Sequence, residues 1–277
     1  EYHHSTGAKF VDPVTELNKR APAAPAVESG VSSDIEVIVD DNNPIHGVTG
    51  CDRYVARAIH GFDPTNHTPN WMRRRLIRAG MRSISLAVDV TNYVMLDLGQ
   101  PMHAYDLDKI EGPIVVRRAA EGEKLTTLDG KEHDLSVEDL LITDSPDGKR
   151  GSRILGIAGV MGGLYGEVTA DTKNILLEAA HFDSVSIARS ARRHKIPSEA
   201  SRRFERGVDT QLQPAAAQMA AELLTKFGNG EPSGHPTDVN TTMYRRPIPF
   251  KATEVARVAG LDVDLSLIHI SEPTRPE

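Results

Sequence analysis

Residues 89–106 read DVTNYVMLDLGQPMHAYD, an apolar run broken by Thr91, Asn92, Gln100 and His103. Hydrogen-bonding side chains in such a segment either satisfy buried backbone or face a pocket. Upstream, IEVIVDD (35–41) and CDRYVARAIHGFD (51–63) place β-branched residues in near-alternation and predict strands. TPNWMRRRLIRAGM (68–81) predicts a helix, with Thr68 as N-cap, Pro69 at the first helical position and Gly80 closing it. Met72, Leu76 and Ala79 form one narrow apolar stripe, Trp71 lies near its margin and Ile77 off it. Arg73, Arg74, Arg75 and Arg78 fill much of the rest, as on a solvated face.

Downstream, GPIVVRRA, EKLTTLDG and DLLITD are short, β-rich and closed by Gly or Asp, and LDGK (128–131) resembles a hairpin turn. ILGIAGVMGGLYGEV (154–168) holds five glycines and leaves no room for a regular helix. NILLEAAHF (174–182) is a continuous apolar run with one acid, Glu178. The pattern then turns helical in SVSIARSARRHK, breaks at Pro197, and resumes in SEASRRFERGVD and QLQPAAAQMAAELLTKFG, which ends at Gly228. Strands lead in the middle and helices afterwards, so the expected class is α+β. No internal repeat is visible.

Length and composition add bounds. The 277 residues suit one or two domains, with 39% apolar and 26% charged positions. One cysteine, Cys51, excludes a disulfide framework and a multi-cysteine zinc site, and fits a reducing cytoplasm. No apolar run reaches the roughly 18–20 residues that a membrane helix needs. The chain starts EYHHSTG without Met, which we read as a piece of a longer protein. RAPAAPAVESGVSSD (20–34) reads as a linker, and LSLIHISEPTRPE (265–277) as a non-native tail.

The candidate chemistry is scattered. GIAGVMGG lacks the G-x-G-x-x-G order, so its glycines serve either tight turns or close approach to a ligand. Eleven histidines form no zinc-binding spacing, and no G-x-S-x-G elbow occurs. Glu178 must meet a donor, from protein, water or ligand, because an unpaired buried carboxylate is costly. Residues 185–206 hold seven Arg or Lys against two Glu, a local +5 in a chain of net charge −7. That excess fits either a solvated helix face or a polyanion held at one face.

Several segments together resemble one family. VDVTNYVMLDLGQPMHAYDLDKI, GIAGVMGG, NILLEAAHF and ARRHKIPSEASRRFERGVD are similar to the β subunit of bacterial phenylalanine–tRNA ligase, in its central B3/B4 editing module. The resemblance covers about residues 48–230, and RRPIPFKATEVARVAGLDV (245–263) resembles the start of the following domain. It implies a mixed β-sheet core with flanking helices over 34–240. Residues 1–33 would be the tail of a preceding region and a linker, and 241–264 a truncated B5-like start.

In that family the module hydrolyses tyrosine wrongly esterified to the phenylalanine tRNA. Carried over by motif, Thr91, Asn92 and His103 would line the catalytic pocket. Gly159, Gly162 and Gly163 would form its backbone wall, and Glu178 would contact the tyrosine hydroxyl. Ala200 would leave room for the aminoacyl group. Ser198 would offer a hydroxyl where the family often has Thr. Arg192, Arg193, Arg202 and Arg203 are the RNA-binding candidates. The water-activating group is left open between His103 and the tRNA's own terminal hydroxyl. The resemblance implies no cofactor or metal here, with ATP and Mg²⁺ belonging to the holoenzyme. It further implies an α-subunit partner in a heterotetramer of two α and two β subunits, tRNA as substrate, and a cytoplasmic location. The competing readings are a non-catalytic tRNA-binding or scaffolding module and an unrelated hydrolase.

Overall fold

The computed structural model describes residues 5–22, 35–243, 249, 251 and 253–260. Most of the 20–34 linker and the whole 265–277 tail lie outside them. The chain divides into two units, Val14–Thr242 and a smaller one formed by residues 1–13 and 243–277. The larger carries nearly all of the described structure.

In chain order its elements are α1 (Pro13–Arg20), β1 (Val37–Asp40), β2 (Cys51–His60), α2 (Asn70–Arg78), α3 (Leu86–Leu98) and β3 (Met102–Asp106). Then come β4 (Ile114–Arg118), β5 (Lys124–Thr126), β6 (Glu132–Asp134), β7 (Leu140–Asp144), β8 (Arg153–Ile157) and β9 (Met161–Gly162). β10 (Ile175–Phe182), α4 (Ser184–His194), α5 (Glu199–Phe204), α6 (Gln213–Gly228), β11 (Glu231–Pro232) and β12 (Thr237–Asn240) complete it. The smaller unit contains α7 (Thr253–Ala259). No helix among the described residues is long and apolar enough to cross a membrane.

Two five-stranded sheets organise the larger unit. The first runs β1-β4-β7-β8-β9, parallel at β1–β4 and antiparallel elsewhere. The second runs β11-β2-β10-β3, with β12 also on β2, and is antiparallel throughout. A small hairpin, β5–β6, closes on the anticipated LDGK turn, where Thr127 N–H donates to Lys131 O at 2.9 Å. The expected α+β class with a mixed-sheet core is what the chain adopts.

The second sheet is covered on both faces, which is why NILLEAAHF shows no alternation. Ile175 and Leu177 pack with Leu76, Val90, Val94, Ala216 and Ala220 beneath α2, α3 and α6. Leu176, Ala180 and Phe182 point the other way, into the core shared with Val116, Leu141 and Leu155 of the first sheet. Strand periodicity puts Glu178 on that second face. The small residues Ala216, Ala217 and Ala220 of α6 are fully or nearly fully buried, which lets the helix lie close on the sheet.

Three local readings need correction. Pro69, not Thr68, occupies the N-cap of α2. Thr68 Oγ1 instead donates to Asp89 Oδ2 at 2.6 Å, beside Ile84 N–H at 2.9 Å and the Ser83 hydroxyl. Asp89 is wholly buried, and its need for donors outweighs a surface cap. In SEASRRFERGVD only Glu199–Phe204 is helical. The stripe reading holds for Met72 and Leu76, which are completely buried, whereas Ala79 is exposed.

Candidate functional site

The register of the second sheet places His103 of β3 directly opposite Glu178 of β10. Both therefore face the first sheet, and Tyr105 and Tyr54 share that face at two-residue offsets. A cleft opens here, bounded by β3, Glu178, the turn from Gly156 to Gly162, and Ala200 and Phe204 of α5. Its volume is about 70 Å³, several times the roughly 10–15 Å³ that one water needs.

Glu178 is 7% exposed. Its Oε2 accepts from Tyr105 Oη at 2.8 Å and Tyr54 Oη at 2.9 Å. The described residues supply no donor to Oε1. Burial pushes the Glu178 carboxyl up, and the two tyrosine hydroxyls oppose that rise by stabilising the anion. One oxygen is thus held by protein, while the other is left for whatever enters the cleft.

His103 lies edge-on to Tyr105, with ring centroids 4.4 Å apart. Burial lowers its pKa from 6.5 to about 4, although one edge stays open to the cleft. The ring is neutral at pH 7, and neither nitrogen has a hydrogen-bond partner among the described residues. It can accept or donate one hydrogen bond to a ligand or water. Gly162 makes room for it, because a Cβ there would lie 2.7 Å from His103 Cε1.

The glycine turn does two jobs. Gly159 takes φ +64, and any Cβ would meet Phe204 at 2.9 Å, so side-chain-free backbone is required. Its N–H has no acceptor among the described residues. By contrast, Val160 N–H is bound to Ile157 O at 3.0 Å and Gly163 N–H to Leu155 O at 2.6 Å.

The structure brings His103, Glu178, Gly159, Gly162 and Ala200 together, and leaves four anticipated residues out of the lining. Thr91 sits in α3, on the other side of the second sheet, with Oγ1 donating to Val88 O at 2.8 Å. Asn92 is half-buried on the same helix. Gly163 is spent on sheet pairing and abuts Leu125. Ser198 caps α5, its Oγ accepting from Ser201 N–H at 3.0 Å. Gln100 serves buried backbone: Nε2 donates to Pro101 O and Ala180 O at 2.8 and 2.9 Å, and Oε1 accepts from Gln213. Of the four polar residues in the segment, only His103 reaches the cleft.

Sequence reasoning missed Tyr105 and Tyr54. Tyr105 was within reach, since it follows His103 by two on a strand and must share its face. Tyr54 was not, because only the β2–β10 register sets it beside Glu178.

The sequence model of a family described as the B3/4 domain matches residues 50–229. The chain belongs to the B3/4 domain family. It is 80% identical over 268 residues to the phenylalanine–tRNA ligase beta subunit of Bifidobacterium longum, covering 97% of this chain and 31% of that one. It is 54% identical over 212 residues to the protein of the same name from Thermobifida fusca, covering 76% and 25%. The counterpart from Leifsonia xyli is 47% identical over 261 residues, covering 94% and 29%. The chain thus spans less than a third of the length of each relative.

In this B3/4 domain three of the four candidate arginines are paired with carboxylates. Arg193 binds Asp139 Oδ1 at 2.5 Å and also meets Glu138, while Arg202 and Arg203 pair with Glu199 at 3.1 and 2.8 Å. Arg192 alone of the four candidates is exposed without an ion-pair partner among the described residues. Asp139 is a structural hub, accepting also from Ser136 N–H, Ser190 Oγ and His194 Nε2 at 2.8, 2.6 and 2.7 Å. Burial would raise its carboxyl, but the bonds from His194, Ser190 and Ser136 prevail and hold it at about 2. Among the described residues no group of three His, Cys, Asp or Glu is arranged to hold a metal ion.

Proposed function

We propose that this chain is part of a phenylalanine–tRNA ligase β subunit and that its cleft hydrolyses tyrosine misattached to tRNA. The observation that carries the reading is the buried Glu178, with Oε2 held by two tyrosines and Oε1 open beside a neutral His103. Tyrosine and phenylalanine differ by one hydroxyl, and a site built to bond that hydroxyl rejects the analogue lacking it. With phenylalanine bound, Oε1 would be desolvated and unpaired, at a cost of about 1–3 kcal/mol.

In the proposed reaction water adds to the ester carbonyl, and the carbonyl oxygen gains negative charge. The ribose hydroxyl leaves, and tyrosine departs as a free carboxylate. The uncommitted Gly159 N–H suits the developing oxyanion. A base works best with a pKa near the operating pH, so the burial that keeps His103 neutral also makes it a weak base. We therefore assign it to orienting water, with the tRNA's terminal hydroxyl relaying a proton from that water to the departing ribose oxygen. Aminoacylation with ATP and Mg²⁺ would belong to the α subunit of a two-α, two-β cytoplasmic enzyme.

The test is deacylation of tyrosine-charged and phenylalanine-charged tRNA by the assembled enzyme. The reading expects rapid loss of the tyrosyl ester only. Loss of both esters at the rate in water alone would leave a binding or scaffolding module instead.

A further inference from the structure

Outside one segment, most of the described arginines meet a carboxylate. Arg20, Arg53, Arg117, Arg118, Arg150 and Arg153 all meet an Asp or Glu at 2.5–3.1 Å. One segment is different. Residues 64–88 contain Arg73, Arg74, Arg75, Arg78 and Arg82 and no Asp or Glu. All five are exposed, and none reaches a carboxylate among the described residues. Arg75 donates to Tyr93 Oη at 2.8 Å and lies 5.4 Å from the centre of the Trp71 ring.

Within the helix this arrangement is unfavourable. Arg74 and Arg78 are four apart, a like-charge spacing that destabilises an isolated helix. Arg73 lies in the first turn of α2, which has no acid, and faces the positive end of the helix dipole. An external polyanion would relieve both repulsions. Trp71 stands among these arginines, 41% exposed, edge-on to Tyr93 at 5.2 Å. An exposed aromatic ring beside guanidinium groups is the combination on which unstacked bases rest.

We propose that the outer face of α2, formed by Arg73, Arg74, Arg78 and Trp71, with Arg82 just beyond it, is an RNA-binding surface. The arginines take backbone phosphates and Trp71 takes a base. The surface is distinct from the cleft, because α2 packs on the opposite face of the second sheet. It does not depend on ester hydrolysis, so it stands or falls separately from the proposed activity.

The experiment is fluorescence anisotropy of the 277-residue chain with a labelled, uncharged phenylalanine tRNA transcript, from 50 to 200 mM salt. Each phosphate contact adds roughly 0.7–0.9 to the slope of log affinity against log salt. R73Q/R74Q/R78Q should therefore lower that slope by about two and weaken binding about tenfold or more. The single variants R74Q and R78Q should fall between, and K149Q/R150Q should change little. W71L should weaken RNA binding while leaving heparin binding unchanged. Circular dichroism melting identifies any variant that fails to fold, and the single variants then carry the test. Unchanged affinity and slope in folded R73Q/R74Q/R78Q would overturn the proposal. So would equal sensitivity of RNA and heparin to W71L, or preferential binding to anionic phosphatidylserine vesicles over the transcript.

Discussion

Gly162 and His103 are in such close contact that a Cβ on Gly162 would stand 2.7 Å from Cε1 and 2.9 Å from Nε2 of the ring. One methyl group therefore displaces the imidazole from its place opposite Glu178. Gly162→Ala should cut deacylation of the tyrosyl ester about tenfold or more, with a stability loss of about 1–3 kcal/mol from overpacking. Stopped-time deacylation beside thermal melting measures both. Full activity in the Ala variant would remove His103 from the mechanism.

Glu178 offers a graded test. Glu178→Gln keeps an acceptor but loses the charge, so discrimination between tyrosyl and phenylalanyl esters should fall. Glu178→Ala should abolish it and also strand the Tyr54 and Tyr105 hydroxyls, at about 1–3 kcal/mol for each buried group left unpaired. Ester selectivity of the assembled enzyme, with melting as the folding control, reads the two effects apart. A folded Ala variant that still discriminates would make Glu178 a structural acid only.

His103 should titrate far below an ordinary histidine. Burial lowers its pKa to about 4, so the unfolded chain binds this proton first as pH falls. Its contribution to stability is complete above about 6.5 and is lost between 6.5 and 4. The ring proton resonance, followed by NMR, should have its midpoint near 4. A midpoint near 6.5 would place the ring in open water and contradict the cleft.

Asp139 behaves in the opposite sense. Its carboxyl is held at about 2 rather than 3.8, so it stabilises the fold above pH 3.8 and this is lost as pH falls through 2. The difference is worth about 2 kcal/mol. Urea unfolding against pH should lose that increment in the wild type, whereas Asp139→Asn should start lower and show a flatter acid limb. Equal acid limbs would mean the His194, Ser190 and Ser136 contacts are weak in solution.

Much of the fold was legible because its elements follow short-range rules. The β-branched runs became β1, β2 and β4, and α6 ends where Gly228 ends the pattern. Glu178 stood out as the single acid in an apolar run. The sequence could not show that α3 lies behind the second sheet, which takes Thr91 and Asn92 away from the cleft. Nor could it show that Glu138, Asp139 and Glu199 would cancel three of the four chosen arginines. Both depend on long-range packing, which no local spacing encodes.

The pairing of β2 with β12, Arg53–Ala56 against Thr237–Asn240, sets a clock on synthesis. About 180 residues separate the two strands, so at roughly 5–20 residues per second one edge of β2 waits on the order of ten to forty seconds for its neighbour. An open strand edge invites pairing with other chains, and charged side chains are the usual protection. β2 carries Arg53 and Arg57 on one face, and their final partners, Asp238 and Gln218, are made 185 and 161 residues later. Until then both arginines keep the nascent strand hydrated, and when the partners emerge the same charges lock the sheet shut.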